Sequence, residues 1–205
     1  MPKPRRELQS PAGIAEAATE LFYRQGYEGT SMQDIAAAAK INKSSLYHHI
    51  RGKEQLLEAI CGRAFSALTA SLEQAEASQA GPGGRVLAAF TGAVRAALAD
   101  PRGTSIIIRL QGKTEVARRV RDWRREYERR FAELIEAAQR AGEVRTDIEA
   151  LMLARLVLGM VHWVVEWFEP RSSRGGAYSA PVVEAAVAGV AAYGLAGEGG
   201  HLSLG

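Results

Sequence analysis

Apolar residues recur every three or four positions along almost the whole chain, and no stretch alternates them with polar residues between turn signals. That periodicity predicts helices and no strand. Ile14, Ala17, Ala18, Leu21 and Phe22 make the first stripe, which Gly26 stops. Ser31 precedes MQDIAAAA with Asp34 three residues on, a capping box with Asp in place of Glu. A break at Lys40 and Ile41 leads to Asn42, a good N-cap, and to a short helix that ends near Arg51. Lys53 opens a longer helix with Leu56, Leu57, Ile60, Ala64, Leu68 and Leu72 on one side. AGPGG at 80–84 reads as a hinge or loop. Beyond it the pattern predicts a helix near 85–99, a stop at Asp100-Pro101, a mixed segment near 104–112, and a charged helix over about 114–141 ended by Gly142. An apolar helix over 148–168, an RSSRGG loop, a final helix over about 180–195 and a frayed EGGHLSLG tail complete the chain. The expected fold class is all-α, with about nine helices.

Composition narrows the class further. A chain of 205 residues that is 47% hydrophobic buries a real core. The single cysteine, Cys61, allows no intrachain disulfide and fits a reducing cytoplasm. The basic start MPKPRRELQS lacks the apolar stretch of a signal peptide. Residues 151–168 are barely long enough to cross a bilayer and contain Arg155, His162 and Glu166, so they read as a buried helix. Residues 1–53 hold eight Lys or Arg against five acids, which is the whole net charge of +3; the remainder balances eighteen against eighteen. That placement points to an anionic partner for the N-terminal segment.

Residues 31–50 carry the most specific signal. A short helix, a turn of about four residues and a second short helix make a helix-turn-helix. In that motif the second helix enters the DNA major groove with its N-terminal residues against base edges. Those residues are Lys43, Ser44 and Ser45, donors suited to bases. Tyr47, His48 and Lys53 are donors suited to phosphate oxygens. Thr30 and Ser31, at the start of the preceding helix, favour a phosphate as well, and Gln33 belongs to the same DNA-facing set. Ile35, Ala39, Leu46 and Ile50 would hold the two helices together. Two other chemistries fail for His48 and His49. Adjacent residues point about 100° apart on a helix, and no Cys, Asp or Glu stands four residues on to complete a metal site. No nucleophile-elbow motif accompanies the serines. Neither a metal nor a cofactor is expected.

The span from Ile14 to Leu57, with GYEGTSMQDIAAAA, INKSSLYHHI and RGKEQLLEAI, resembles the DNA-binding domain of the TetR family of bacterial regulators. The resemblance covers about a quarter of the chain. Three positions depart from the family pattern: Lys40 stands where the family usually has glycine, Ser44 where it often has glycine, and Ile50 where it often has an aromatic. The resemblance implies a homodimer joined through the last two helices, a palindromic double-stranded DNA operator, and a small-molecule effector in a cavity lined by several aromatic residues.

The residues themselves allow such an arrangement. Ala185, Ala188, Gly189 and Ala192, at spacings of three and four, let a neighbouring helix approach closely. Phe65, Phe90, Trp123, Tyr127, Phe131 and Trp163 are the candidate aromatic lining, with Arg155 and His162 as polar groups on one side of an oily helix. ARRVRDWRREYERR at 117–130 holds seven arginines against Asp122, Glu126 and Glu128. It reads as a solvated face laced with pairs such as Glu126 with Arg130, or as a landing site for a phosphorylated ligand. The VVEWFEP segment and the Gly-rich loop and Ser-Ala-Pro helix start after it look similar to regulators that sense acyl-CoA thioesters. The expectation is a cytoplasmic, homodimeric, ligand-responsive repressor with a DNA-binding domain over 1–52 and a ligand-binding and dimerisation domain over 53–205. The alternatives are a ligand-independent DNA-organising protein and an enzyme using the aromatic pocket. The second of these lacks a recognisable nucleophile, metal set or phosphate loop.

Overall fold

A computed structural model describes residues 9–168 and 178–197, the side chain of His49 excepted. The basic residues Lys3, Arg5 and Arg6, the RSSRGG loop and the EGGHLSLG tail lie outside the described residues. Among the described residues there are nine helices and no strand: α1 Pro11–Gln25, α2 Met32–Ala38, α3 Lys43–His49, α4 Lys53–Glu76, α5 Pro82–Ala99, α6 Pro101–Arg109, α7 Glu115–Arg140, α8 Ala150–Trp167 and α9 Ala180–Leu195. They form two compact units. One comprises the residues up to Ala64 together with Arg102–Val120; the other comprises Phe65–Pro101 together with the residues from Arg121 on. Helices α4 and α7 each contribute to both.

In the first unit α1 packs on α2 and α2 on α3. Ser10 caps α1 by accepting from the Gly13 N–H at 3.1 Å, and Pro11 sits in the first turn, where its missing N–H has no partner to lose. Ile14, Ala18, Ile35, Ala39 and Leu46 have no solvent exposure, and Ile50, Leu56, Leu57 and Ile60 complete the core. The segment around 104–112, expected to be mixed, is helical up to Arg109. Pro101 starts α6 rather than only stopping α5, and Gly103, Thr104, Ser105, Ile106 and Ile107 are buried. Tertiary burial outweighs the weak helix preference of Thr and Ile there. Arg102 pairs with Glu20 at 3.0 Å, and the Arg109 guanidinium lies 5.7 Å from the Tyr23 ring centroid.

The second unit is built around α5, which packs on both α8 and α9. Its Phe90 and the Phe131 of α7 are fully buried, each contributing roughly 1.5–3 kcal/mol of apolar transfer. The AGPGG stretch, read from sequence as a loop, is mostly helix: Pro82 opens α5, and Gly83 and Gly84 lie within it. The reason lies far along the chain. A carboxylate oxygen of Glu143 accepts from the Gly83 N–H at 2.8 Å and serves as the cap that no local side chain supplies. At Gly92 an added Cβ would lie 2.8 Å from the Ser71 Cβ, so glycine permits the close approach of α5 to this part of α4.

Helix α8 is buried along one face (Leu153, Ala154, Val157, Leu158, Val161, Val164 and Val165) and bare along the other. By length and composition alone it could cross a membrane; its contact with α5 is that of a core helix. The stripe expected on α9 divides: Ala188 and Ala192 face inward, Ala185 and Gly189 outward. The expected pair of Glu126 with Arg130 is also absent. Glu126 bonds Arg129 at 2.9 Å, and Arg130 reaches across to Glu76 of α4 at 3.0 Å.

Lys40 has φ 56°, the one left-handed non-glycine residue among those described. That conformation costs an L side chain roughly 1–2 kcal/mol, against about 0.5–1 kcal/mol of extra unfolded-chain entropy for glycine. Lys40→Gly is therefore expected to stabilise the protein by about 0.5–1 kcal/mol, and Lys40→Val to destabilise it. Urea unfolding followed by circular dichroism measures both.

Candidate nucleic-acid interface and effector region

Two caps define the helix pair. The Ser31 side chain accepts from the Asp34 N–H at 3.1 Å while the Ser31 N–H donates to the Asp34 carboxylate at 2.8 Å, a complete capping box. The Ser31 hydroxyl also donates to that carboxylate at 2.6 Å. These donors hold the Asp34 carboxyl below its usual range. At α3, the Asn42 side chain accepts from the Ser45 N–H at 2.6 Å. Residues 39–42 form the four-residue turn between the helices.

The register of α3 is fixed by Leu46 and Ile50, which point into the core. Lys43, Ser44, Tyr47 and His48 then face solvent, with Tyr47 48% exposed. Ser45 is half-buried at the edge of that face, and Gln33 is exposed on α2. Thr30 is a correction to the sequence reading. It is 2% exposed, its hydroxyl donates to the Gly26 carbonyl at 2.8 Å, and its N–H is bonded to the Tyr27 carbonyl at 3.3 Å. It braces the α1–α2 turn and offers nothing to a phosphate. Ser31, expected to favour a phosphate at the start of α2, serves as the cap of that helix. Lys53 is half-buried; its ammonium donates to the Tyr27 carbonyl at 2.8 Å and lies 4.1 Å from that ring's centroid, which leaves two donors for other partners.

The candidate effector residues separate into three groups in the second unit. Phe65, Phe90, Tyr127 and Phe131 are core. Trp123, partly exposed, has its ring 4.9 Å from that of Phe65, and Tyr127 lies 6.5 Å from Phe131. The Tyr127 hydroxyl is buried without a well-formed hydrogen bond; the nearby Ser71 hydroxyl donates to the Leu68 carbonyl instead. Burial pushes the Tyr127 pKa up to about 12. Arg155 and His162 form the second group. They line a groove of about 490 Å³ with Leu158 of α8 and with Arg121, Arg124, Arg125 and Glu128 of α7. Arg155 donates to Glu128 at 3.0 Å. Burial, and then the charge of Arg124, lowers the His162 pKa. Trp163 stands apart: it is 70% exposed, outside both the aromatic core and the groove, because it lies on the bare face of α8 with Met152, Leu156 and Trp167. Val182, Val190 and Tyr193 form a matching bare stripe on α9, with Tyr193 83% exposed. The sequence carried that signal in the spacing 152, 156, 163, 167, which a helix apolar all round conceals.

Comparison with known proteins agrees with this architecture. Residues 14–60 match the family described as bacterial regulatory proteins, tetR family, and residues 81–195 match the tetracyclin repressor-like C-terminal domain. The chain is 35% identical to SCO3833, a member of the TetR transcriptional regulator family from Streptomyces coelicolor A3, covering 89% of this chain and 90% of that one with a TM-score of 0.81. It is 30% identical to AibR, solved in complex with isovaleryl coenzyme A and operator DNA, covering 88% and 96% with a TM-score of 0.72. It is also 27% identical over 71% of its length, and 75% of the relative's, to the HTH-type transcriptional repressor DhaR of Mycobacterium sp. strain GP1.

The Tyr127 proton is held more tightly in the folded chain than in the unfolded one, so stability falls as pH rises through about 10 to 12. Tyr127→Phe removes that dependence and an unsatisfied hydroxyl together. It is expected to leave neutral-pH stability equal or about 1 kcal/mol higher and to delay alkaline unfolding, as measured by melting temperature against pH.

Proposed function

The chain belongs to the TetR family of bacterial regulatory proteins, and from that premise we propose that it is a homodimeric repressor released from a palindromic operator by a small molecule. The observation that carries the reading is the outward face of α3, where Lys43, Ser44, Tyr47 and His48 stand exposed on a helix anchored by Leu46 and Ile50. In this reading Lys43 and Ser44 read base edges, and Tyr47 and His48 bond phosphates. Gln33 adds a contact from α2. The DNA-binding part is 1–52 and the ligand-binding and dimerisation part 53–205. The setting is the bacterial cytoplasm.

The bare apolar stripes of α8 and α9 support the dimer. Met152, Leu156, Trp163 and Trp167 on one helix and Val182, Val190 and Tyr193 on the other are large apolar side chains left exposed, the kind of surface that a partner subunit covers. Two such helices from each subunit make a four-helix interface, which sets two recognition helices at the spacing of half-sites about 34 Å apart or a multiple of it.

The effector is a metabolite with an apolar group, and an acyl thioester of coenzyme A is the reading favoured by AibR, whose structure holds isovaleryl coenzyme A together with operator DNA. Phe65, Phe90, Trp123, Tyr127 and Phe131 supply the apolar side, and the unsatisfied Tyr127 hydroxyl a polar contact. Helix α4 is the one that starts beside α3 in sequence and runs on into the second unit, so a shift of α4 carries the signal. A hundredfold fall in operator affinity requires about 2.7 kcal/mol of differential ligand binding between the two states.

Gel shifts with a duplex selected from a random pool test the DNA reading. Tyr47→Phe is expected to weaken all DNA binding, whereas Lys43→Ala is expected to lose most of the discrimination between the selected and a scrambled duplex, about 1–3 kcal/mol. Unchanged preference in Lys43→Ala removes that role. Analytical ultracentrifugation tests the dimer: the double substitution Trp163→Glu, Tyr193→Glu is expected to yield a folded monomer with at least about a hundredfold weaker operator binding, given that a single module binds far less tightly than a pair.

A further inference from the structure

The groove between α7 and α8 has a chemistry that an apolar effector alone does not use. Arg121, Arg124, Arg125 and Glu128 lie three, four and seven residues apart on α7, and Arg155, Leu158 and His162 three and seven apart on α8. Each helix therefore turns one continuous face into the groove. Four guanidinium groups and a single carboxylate line it, an excess of positive charge gathered by two separate helices. Arg118 pairs with Glu115, Arg119 with Glu58 at 2.7 Å, Arg129 with Glu126 and Glu133, and Arg130 with Glu76, all outside the groove, while Arg125 in the groove pairs with Asp122 at 3.9 Å. The Nε of Arg155 is directed at Glu128, which fixes the guanidinium plane and leaves its terminal nitrogens for a second partner. The volume, about 490 Å³, lies in the range of small-molecule sites.

We propose that this groove is a binding site for the phosphate groups of a nucleotide. One carboxylate ligand would neutralise a single arginine, whereas a pyrophosphate or a nucleoside bisphosphate matches three or more guanidinium forks with bidentate hydrogen bonds. Leu158 gives the base or sugar an apolar wall, and His162 adds a ring nitrogen on the α8 side. The inference deepens the effector reading above and rests on it. The phosphates belong either to the nucleotide end of coenzyme A, whose acyl end would then reach the aromatic residues, or to a free nucleotide acting as a separate signal.

Isothermal titration of the full-length protein, without DNA, with adenosine 3′,5′-bisphosphate, coenzyme A and adenosine tests the site. The bisphosphate and coenzyme A are expected to bind and adenosine not to. Arg124→Gln and Arg155→Gln are each expected to weaken binding by about tenfold, the loss of one charge-assisted bidentate contact. Arg124→Lys, which keeps the charge but not the fork, should fall between Arg124→Gln and the unaltered protein. Arg129→Gln, outside the groove on the same helix, should change nothing. Tighter binding of coenzyme A than of the bisphosphate assigns the phosphates to a thioester effector; equal binding assigns them to a free nucleotide. Affinity for the bisphosphate no greater than for adenosine, or affinity unaltered in both Gln variants, overturns the proposal. Because no DNA is present, that result leaves the repressor reading standing, and a failure of operator binding in gel shifts leaves the groove standing.

Discussion

A helix of seven residues does not hold itself together in water, and α3 is such a helix. Isolated helices shorter than about 12–15 residues are marginal even with favourable sequences. Everything proposed for the DNA-binding end depends on how α3 is held. The Asn42 cap closes its first turn, and Leu46 and Ile50 bury their side chains in a core that includes Ile35 and Ala39. With only those positions committed inward, the remaining faces are free. The shortness that makes the helix dependent also leaves Lys43, Ser44, Tyr47 and His48 available, on a scaffold whose orientation is set by α1 and α2. The capping box of Ser31 and Asp34 and the buried hydroxyl of Thr30 act on the same problem one element earlier, because α2 is equally short.

The second unit works by a different division. Its aromatic residues form the centre, its arginines form a groove, and its bare tryptophans and tyrosine form an outer face. Helices α7 and α8 each contribute to more than one of these because successive residues of a helix point about 100° apart. On α8, Leu153 and Val157 meet the core, Arg155 and His162 the groove, and Leu156 and Trp163 the solvent. A single apolar helix therefore divides into a face packed in the core, a face lining the groove and a face left in solvent.

Much of this was legible in the sequence. Ser31, Asp34 and Asn42 marked the helix starts by local capping chemistry, and the 3.6-residue stripe of Ile14, Ala18 and Phe22 marked a core face. The seven-residue spacing of Arg155 and His162 placed both on the groove side. What was hidden depends on contacts distant in sequence. Gly83 and Gly84 read as a loop because their cap, Glu143, lies sixty residues on. Pro101 read as a stop because burial of Ile106 and Ile107 does not register in local propensity. Arg130 read as an intrahelical partner of Glu126 because Glu76 of α4 was out of view. Trp163 read as pocket lining because composition alone cannot tell a helix covered on all sides from one with a face awaiting a partner. Thr30 was indistinguishable in sequence from an exposed phosphate donor.

The most direct measurement of the central claim is acetylation footprinting of lysines in the full-length protein, with and without a duplex selected for binding. Lys43 lies on the outward face of α3, while Lys113 lies between α6 and α7. The account predicts strong protection of Lys43 by the duplex and unaltered reactivity of Lys113. Equal reactivity of Lys43 in the free and DNA-bound protein would contradict it.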